Sequence, residues 1–140
     1  MRVVLDTNVY IAVALGGEFA EDIFQLITTT SEITAITSEE IIQELQKKLQ
    51  EKFNWSKEDI RRLITRIRRF TEIIAIREKL SVVTRDSEDN KILECAVSGN
   101  ADLIVSIDQD LIKLKNYKGI GIIHPKTLSW TFPEYFKKNS

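Results

Sequence analysis

Two aspartates each follow directly on a short apolar run. Asp6 comes after Val3-Val4-Leu5, and Asp108 after Ile104-Val105-Ser106-Ile107. In an open parallel sheet the functional crevice lies beyond the carboxyl ends of the strands, which is where these two acids would stand. The plain alternative is helix capping: Asp108 or Asp110 ahead of Leu111, and Asp6 or Asn8 ahead of Tyr10. Two further acids fall on helices that begin near the same edge. Glu44 follows Ile41 by three residues, and Asp89 follows the N-cap residue Asp86 by three. Asp89 also suits a capping box, and Glu44 a solvated surface position beside Lys47 and Lys48. Brought together, the four carboxylates would repel and raise one another's pKa unless something positive sat among them. Oxygen donors, with no Cys among them and one remote histidine (His124), suit Mg²⁺ or Mn²⁺ rather than Zn²⁺. Mg²⁺ held by carboxylates is the usual apparatus of phosphodiester chemistry, where one cation activates water and a second steadies the leaving oxygen.

The elements that must position these acids alternate along the chain. Strand-like runs are expected at Arg2–Leu5, Ile33–Thr37, Leu103–Ile107 and Ile120–Ile123, with a possible edge at Ile73–Ile76. Helices are expected from near Tyr10 to Leu15, over Glu18–Thr29, after the caps Ser38 and Ser56, and from Asp86 to Gly99. A short helix follows at Leu111–Leu114 and a last helical turn at Lys126–Trp130. Apolar strands alternating with amphipathic helices predict a three-layer α/β/α sandwich with a central, mainly parallel sheet. The expected domain is single, spanning 1–140, without repeat or linker.

The 140 residues are 43% hydrophobic and 29% charged, enough to bury a core in one domain. No apolar run approaches the roughly 20 residues of a membrane span, and no basic, signal-like leader stands at the start. Cys95 has no partner for an internal disulfide, and its apolar neighbours place it in a core; a reducing, cytoplasmic location is expected. The net charge of −1 hides a division: residues 1–46 carry one basic residue against eight acidic, whereas residues 47–79 carry eleven against five. Arg62, Arg66 and Arg69 share one helix side, a spacing that suits a phosphate track or, equally, ordinary ion pairs on a solvated face.

With these residues in view, the sequence resembles the PIN domain family. The resemblance is carried by Val3-Val4-Leu5-Asp6-Thr7-Asn8, by Glu44 within Glu40-Ile41-Ile42-Gln43-Glu44-Leu45, by the stretch from Asp86 to Ala96, and by Asn100 to Leu111. It runs from Met1 to about Pro125 and is strongest to small prokaryotic members that serve as toxins of toxin–antitoxin pairs. The resemblance implies a metal-dependent endoribonuclease whose four acids are Asp6, Glu44, Asp89 and Asp108. Asp6, Asp89 and Asp108 would bind Mg²⁺ or Mn²⁺, and Asn8, Asn90, Ser106 and Asp110 would support the site. It also implies an RNA substrate, an antitoxin partner and a homodimer. Ile107 stands where many members carry Gly, and Ser106 where Thr is commoner; neither change removes an acid.

Other classes fit less well. A dehalogenase-type phosphatase needs a second Asp where Asn8 stands, and a receiver domain needs an acidic pair where Asp6 is alone. A housekeeping RNA-processing nuclease, or a binding module that kept the fold without turnover, remains open at this level. Phe53, Trp55 and Trp130 suit packing or dimer contacts better than base stacking. Trp130, Phe132, Tyr135 and Phe136 suggest a folded-back tail or a subunit contact, and His124 a surface residue rather than a base.

Overall fold

The computed structural model describes residues 1–80, 87–131 and 133. Its framework is a six-stranded sheet in the order β3-β2-β1-β4-β6-β5. The strands are β1 (Arg2–Leu5), β2 (Thr34–Thr37), β3 (Glu72–Ile73), β4 (Leu103–Val105), β5 (Asn116–Tyr117) and β6 (Ile120–Ile123). All pairings are parallel except β5 with β6. Among the described residues, seven helices accompany them: α1 (Thr7–Ala14), α2 (Glu18–Thr29), α3 (Glu39–Glu51), α4 (Lys57–Phe70), α5 (Ser87–Ser98), α6 (Gln109–Leu114) and α7 (Pro125–Thr131).

The period of two along β1 sorts the core into two layers. Val3 and Leu5 pack with α1, α2, α3, α4 and Leu128 of α7 on one face. Val4, with Ile36, Ile104 and Ile122, packs on the other face against Ile92, Leu93, Cys95 and Ala96 of α5 and Leu111 of α6. Both faces of the central strands are covered, so these strands are apolar throughout rather than alternating. This is the expected three-layer α/β/α sandwich with a mainly parallel sheet. Cys95 is a core residue as expected, and burial pushes its thiol pKa up to about 12.

The amphipathic helices begin where their caps dictate. Ser38 Oγ accepts the Ile41 N–H at 3.2 Å, and Ser56 Oγ accepts that of Asp59 at 3.1 Å. Ile60, Leu63, Ile64 and Ile67 then form the buried side of α4. The main differences from expectation are three boundaries and one added strand. The helix expected from Tyr10 begins at Thr7, directly behind Asp6. The run expected at Leu103–Ile107 is strand only to Val105, because Ser106 turns its side chain to Asp6 and Ile107 is exposed. The Ile73–Ile76 edge pairs only through Glu72–Ile73, after which Ile74 and Ile76 pack against the core. Strand β5 is unanticipated: it joins β6 through Lys118-Gly119, both at positive φ (50° and 83°), a turn that usually announces itself with Asn-Gly or Asp-Gly. The expected cap Asp86 and the tail aromatics Phe132, Tyr135 and Phe136 lie outside the described residues.

Gly99 closes α5 where the chain turns beneath the sheet. A Cβ there would stand 2.6 Å from Ile36 Cδ1, 3.0 Å from the Cys95 carbonyl oxygen and 3.1 Å from Ile74 Cγ1. Two of these atoms belong to packed side chains and the third is backbone, so none yields freely. Gly99→Ala is therefore expected to lower stability by roughly 1–3 kcal/mol through overpacking, measurable by urea denaturation.

Candidate metal centre

The order of the sheet reverses between β1 and β4: from β1 the chain proceeds to β2 on one side, and β4 lies on the other. Such a switch point opens a crevice at the carboxyl ends of the strands. Asp6 follows β1 and Asp108 stands three residues past the end of β4, so the topology places both at that crevice. Helices α1, α3 and α6 start from the same edge, and the first turn of α5 carries Asp89 there. Helix N-termini favour negative charge, typically by about 0.3–1 kcal/mol each at exposed sites.

A hydrogen-bond relay fixes two of the acids. The Ser106 hydroxyl donates to Asp6 Oδ2 at 2.8 Å, and Ser106 Oγ accepts the Asp108 N–H at 2.9 Å. Asp108 Oδ1 in turn accepts the Asp110 N–H at 2.8 Å. Asp108 is thus the N-cap of α6, and capping leaves it within the acidic group at this edge. The Asp6 N–H donates to the Val105 carbonyl at 2.9 Å, extending the ladder by one rung and locking the acid to β4.

Among the described residues, Asp89, Asp108 and Asp110 offer carboxylate oxygens that all lie within 4.8 Å of one another. Asp89 is 2% exposed, Asp108 half-buried and Asp110 exposed, so the group opens outward from a buried base. Three hard oxygen donors gathered this closely could hold a divalent cation. Asp110, expected as a supporting residue, therefore stands in the group itself. Asp6 stands one link away, through Ser106 and within the electrostatic reach of Asp108.

Glu44 is placed differently from the aspartates. It accepts a hydrogen bond from Lys91 Nζ at 3.2 Å, bridging α3 to α5. Burial pushes its pKa up, but Lys91, Lys47 and Lys48 outweigh that and hold it below the ordinary value. Asn8 accepts from Lys48 Nζ at 3.4 Å, and Lys48 also pairs with Glu88. Asn90 is half-buried in the first turn of α5. Glu88, Lys48 and Lys91 were not singled out by type and spacing. The available signal was that Lys48 interrupts the inward stripe of Ile41, Leu45 and Leu49.

The arginines of α4 are largely engaged within the protein. Arg62 pairs with Glu58 at 2.9 Å, and Arg66 grips Glu21 while its guanidinium lies 4.5 Å from the Phe24 ring centroid. Arg69 is exposed. His124 Nδ1 accepts the Lys126 N–H at 3.0 Å at the start of α7. Trp55 packs on the core, Phe53 is partly exposed and Trp130 is 75% exposed.

A mainly parallel sheet with acids gathered at its switch point places the chain among α/β domains whose crevice could hold a cation. A family profile described as PIN domain matches residues 2–110, and the chain belongs to that family. Among solved structures the chain is similar to one described as the crystal structure of VapBC2 from Rickettsia felis bound to a DNA fragment from their promoter. The TM-score is 0.63 at 19% identity, over 87% of this chain and 97% of that one, which is a likeness of fold. The search of curated proteins gives no match. Among the described residues, no helix is long and apolar enough to cross a membrane.

Burial raises the Asp6 pKa, against the Ser106 hydroxyl and the Asn8 amide; Asp108 adds to the rise and Lys48 opposes it. A carboxyl whose folded pKa lies above its unfolded value favours folding most below the unfolded pKa, and that contribution is lost as pH rises through the folded pKa. Asp6→Asn removes this titration. In EDTA the variant is expected to be more stable than the wild type at pH 7, the advantage disappearing toward pH 4. Denaturant unfolding of both proteins across that range checks the sign.

Proposed function

We propose that this protein is a divalent-metal-dependent endoribonuclease that hydrolyses RNA phosphodiester bonds, acting as the toxin of a toxin–antitoxin pair. The observation that carries the reading is the convergence of Asp89, Asp108 and Asp110, with Asp6 tied to Asp108 through Ser106, at the switch point of a PIN fold. Asp89, Asp108 and Asp110 would hold Mg²⁺ or Mn²⁺, and Asp6 would complete the ligand set directly or through water. When bound, the cation supplies Lewis acidity at the phosphoryl oxygen and lowers the pKa of water at the site. Asp6 and Asp108 are kept in register by the Ser106 hydroxyl, so the donors need little rearrangement on loading. Glu44 stays ionised at the margin and adds to the negative field that attracts the cation. With His124 Nδ1 committed to the Lys126 amide, proton handling falls to the carboxylates.

An acidic crevice repels RNA, so the strand must be held by other residues. Arg62, Arg66 and Arg69 remain the proposed phosphate track, with Arg69 the most available because Arg62 and Arg66 already serve internal pairs. On a neighbouring side of α4, Lys57, Arg61 and Arg68 line an open groove against α3 that Gln46 and Gln50 also line and that would offer further phosphate contacts. The toxin assignment rests on the sequence resemblance and on the likeness to the VapBC2 structure. An antitoxin segment and a second copy of the chain are the proposed partners, and the cytoplasm the proposed location.

Two outcomes are expected. A mixed panel of structured and single-stranded RNAs should be cleaved in Mn²⁺ or Mg²⁺ and not in EDTA. Asp6→Asn and Asp108→Asn should each lower the rate by at least about a hundredfold while leaving the circular dichroism spectrum unchanged. Cleavage that persists in EDTA or in both variants would reject the assignment. Separately, RNA affinity should fall steeply between 50 and 200 mM salt, and Arg61→Ala combined with Arg69→Ala should flatten that dependence in filter binding.

A further inference from the structure

Among the described residues, Lys48 is a buried charge beside the acids that the proposed chemistry does not use. Lys48, on α3, is 9% exposed, and lysines are rarely that deep unless paired. Its depth follows from the helix: Ile41, Leu45 and Leu49 bury one side of α3, and Lys48 falls among them. From there Nζ reaches two other elements. It lies 3.4 Å from Asn8 Oδ1 in the first turn of α1 and pairs with Glu88 in the first turn of α5.

Lys91 returns the connection from α5 to Glu44 of α3, at 3.2 Å. Each helix therefore gives the other one lysine and one glutamate. Glu44 and Lys48 are four residues apart and Glu88 and Lys91 three, so each pair shares one side of its helix. The residues held by Lys48 flank the site acids: Asn8 stands two residues after Asp6, and Glu88 immediately precedes Asp89. Lys48 also draws the Asp6 carboxyl back toward its ionised form against burial.

We propose that Lys48 is a positioning residue of the metal centre. It holds the N-termini of α1 and α5, and with them Asp6 and Asp89, at a set separation. It also supplies the positive charge that keeps the acidic edge together until a divalent cation arrives. This inference rests on the metal-dependent reading above. Once a doubly charged cation is bound among the acids, much of the countercharge role passes to it. The competing account is that Lys48 merely packs its aliphatic stem, in which case its loss would cost the same with or without metal.

Thermal melts of wild type, Lys48→Met, Glu88→Gln and the double variant, in EDTA and in saturating Mn²⁺, separate the two accounts. Methionine keeps the stem and removes the charge. In EDTA, Lys48→Met should melt about 5 °C below wild type, because Asn8 and the half-buried Glu88 lose the charge that joins them across α3. In Mn²⁺ that gap should shrink to less than half, and adding Glu88→Gln should recover part of the loss in EDTA. Lys48→Arg, which keeps the charge, should melt near wild type and provides the comparison if Lys48→Met does not fold. Equal gaps in EDTA and Mn²⁺ without recovery by Glu88→Gln, or a Lys48→Arg protein that melts as low as Lys48→Met or likewise fails to fold, would overturn the proposal alone. A wild type that Mn²⁺ does not stabilise would overturn the metal reading and this proposal with it.

Discussion

Repulsion among carboxylates drawn to one edge of a sheet is the constraint on which this structure turns. Asp6 and Asp89 are buried, and Asp108 and Asp110 crowd against Asp89. Burial disfavours the ionised form of Asp6, and the charge of Asp108 adds to that. The fold answers with oriented donors and nearby cations: the Ser106 hydroxyl on Asp6, the Asp110 amide on Asp108, Lys48 on Glu88 and Asn8, and Lys91 on Glu44. The helix N-termini at the same edge add their partial positive charge.

The surrounding fold makes that cluster possible. Strands β1 and β4 are short, buried on both faces and parallel, so their carboxyl ends emerge side by side. The two core layers grip them from opposite sides, and the capped helices α3 and α6 leave the same edge. Ser106 is fully buried and does double duty, since one hydroxyl both orients Asp6 and accepts the amide that sets Asp108 at the head of α6. The exposed Ile107 between them keeps the aliphatic bulk out of the cluster while the backbone turns.

Much of the electropositive surface serves the fold before any ligand. Arg66 is the clearest instance, since its guanidinium lies over Phe24 and pairs with Glu21 to join α4 to α2. Arg68 similarly ties α4 to Glu39 at the start of α3. Position on a helix side did not reveal these commitments, because each partner comes from a different part of the chain.

The sequence by itself determined most of the elements and the acids that stand at the strand ends. The apolar runs before Asp6 and Asp108, the serine caps of α3 and α4, and the inward stripes of the helices are local patterns, set by backbone geometry over a few residues. They suffice to predict a parallel sheet with acids at its carboxyl edge. Tertiary structure alone decided which acids converge and what compensates them. Asp110 joins Asp89 and Asp108, whereas Glu44 is bound to Lys91, and nothing local distinguishes those two acids. Lys48 read as a surface neighbour of Glu44 until α1 and α5 closed over it. The reason is physical: electrostatic partnership depends on distance through space and on exclusion of water, and both are set only when the helices pack.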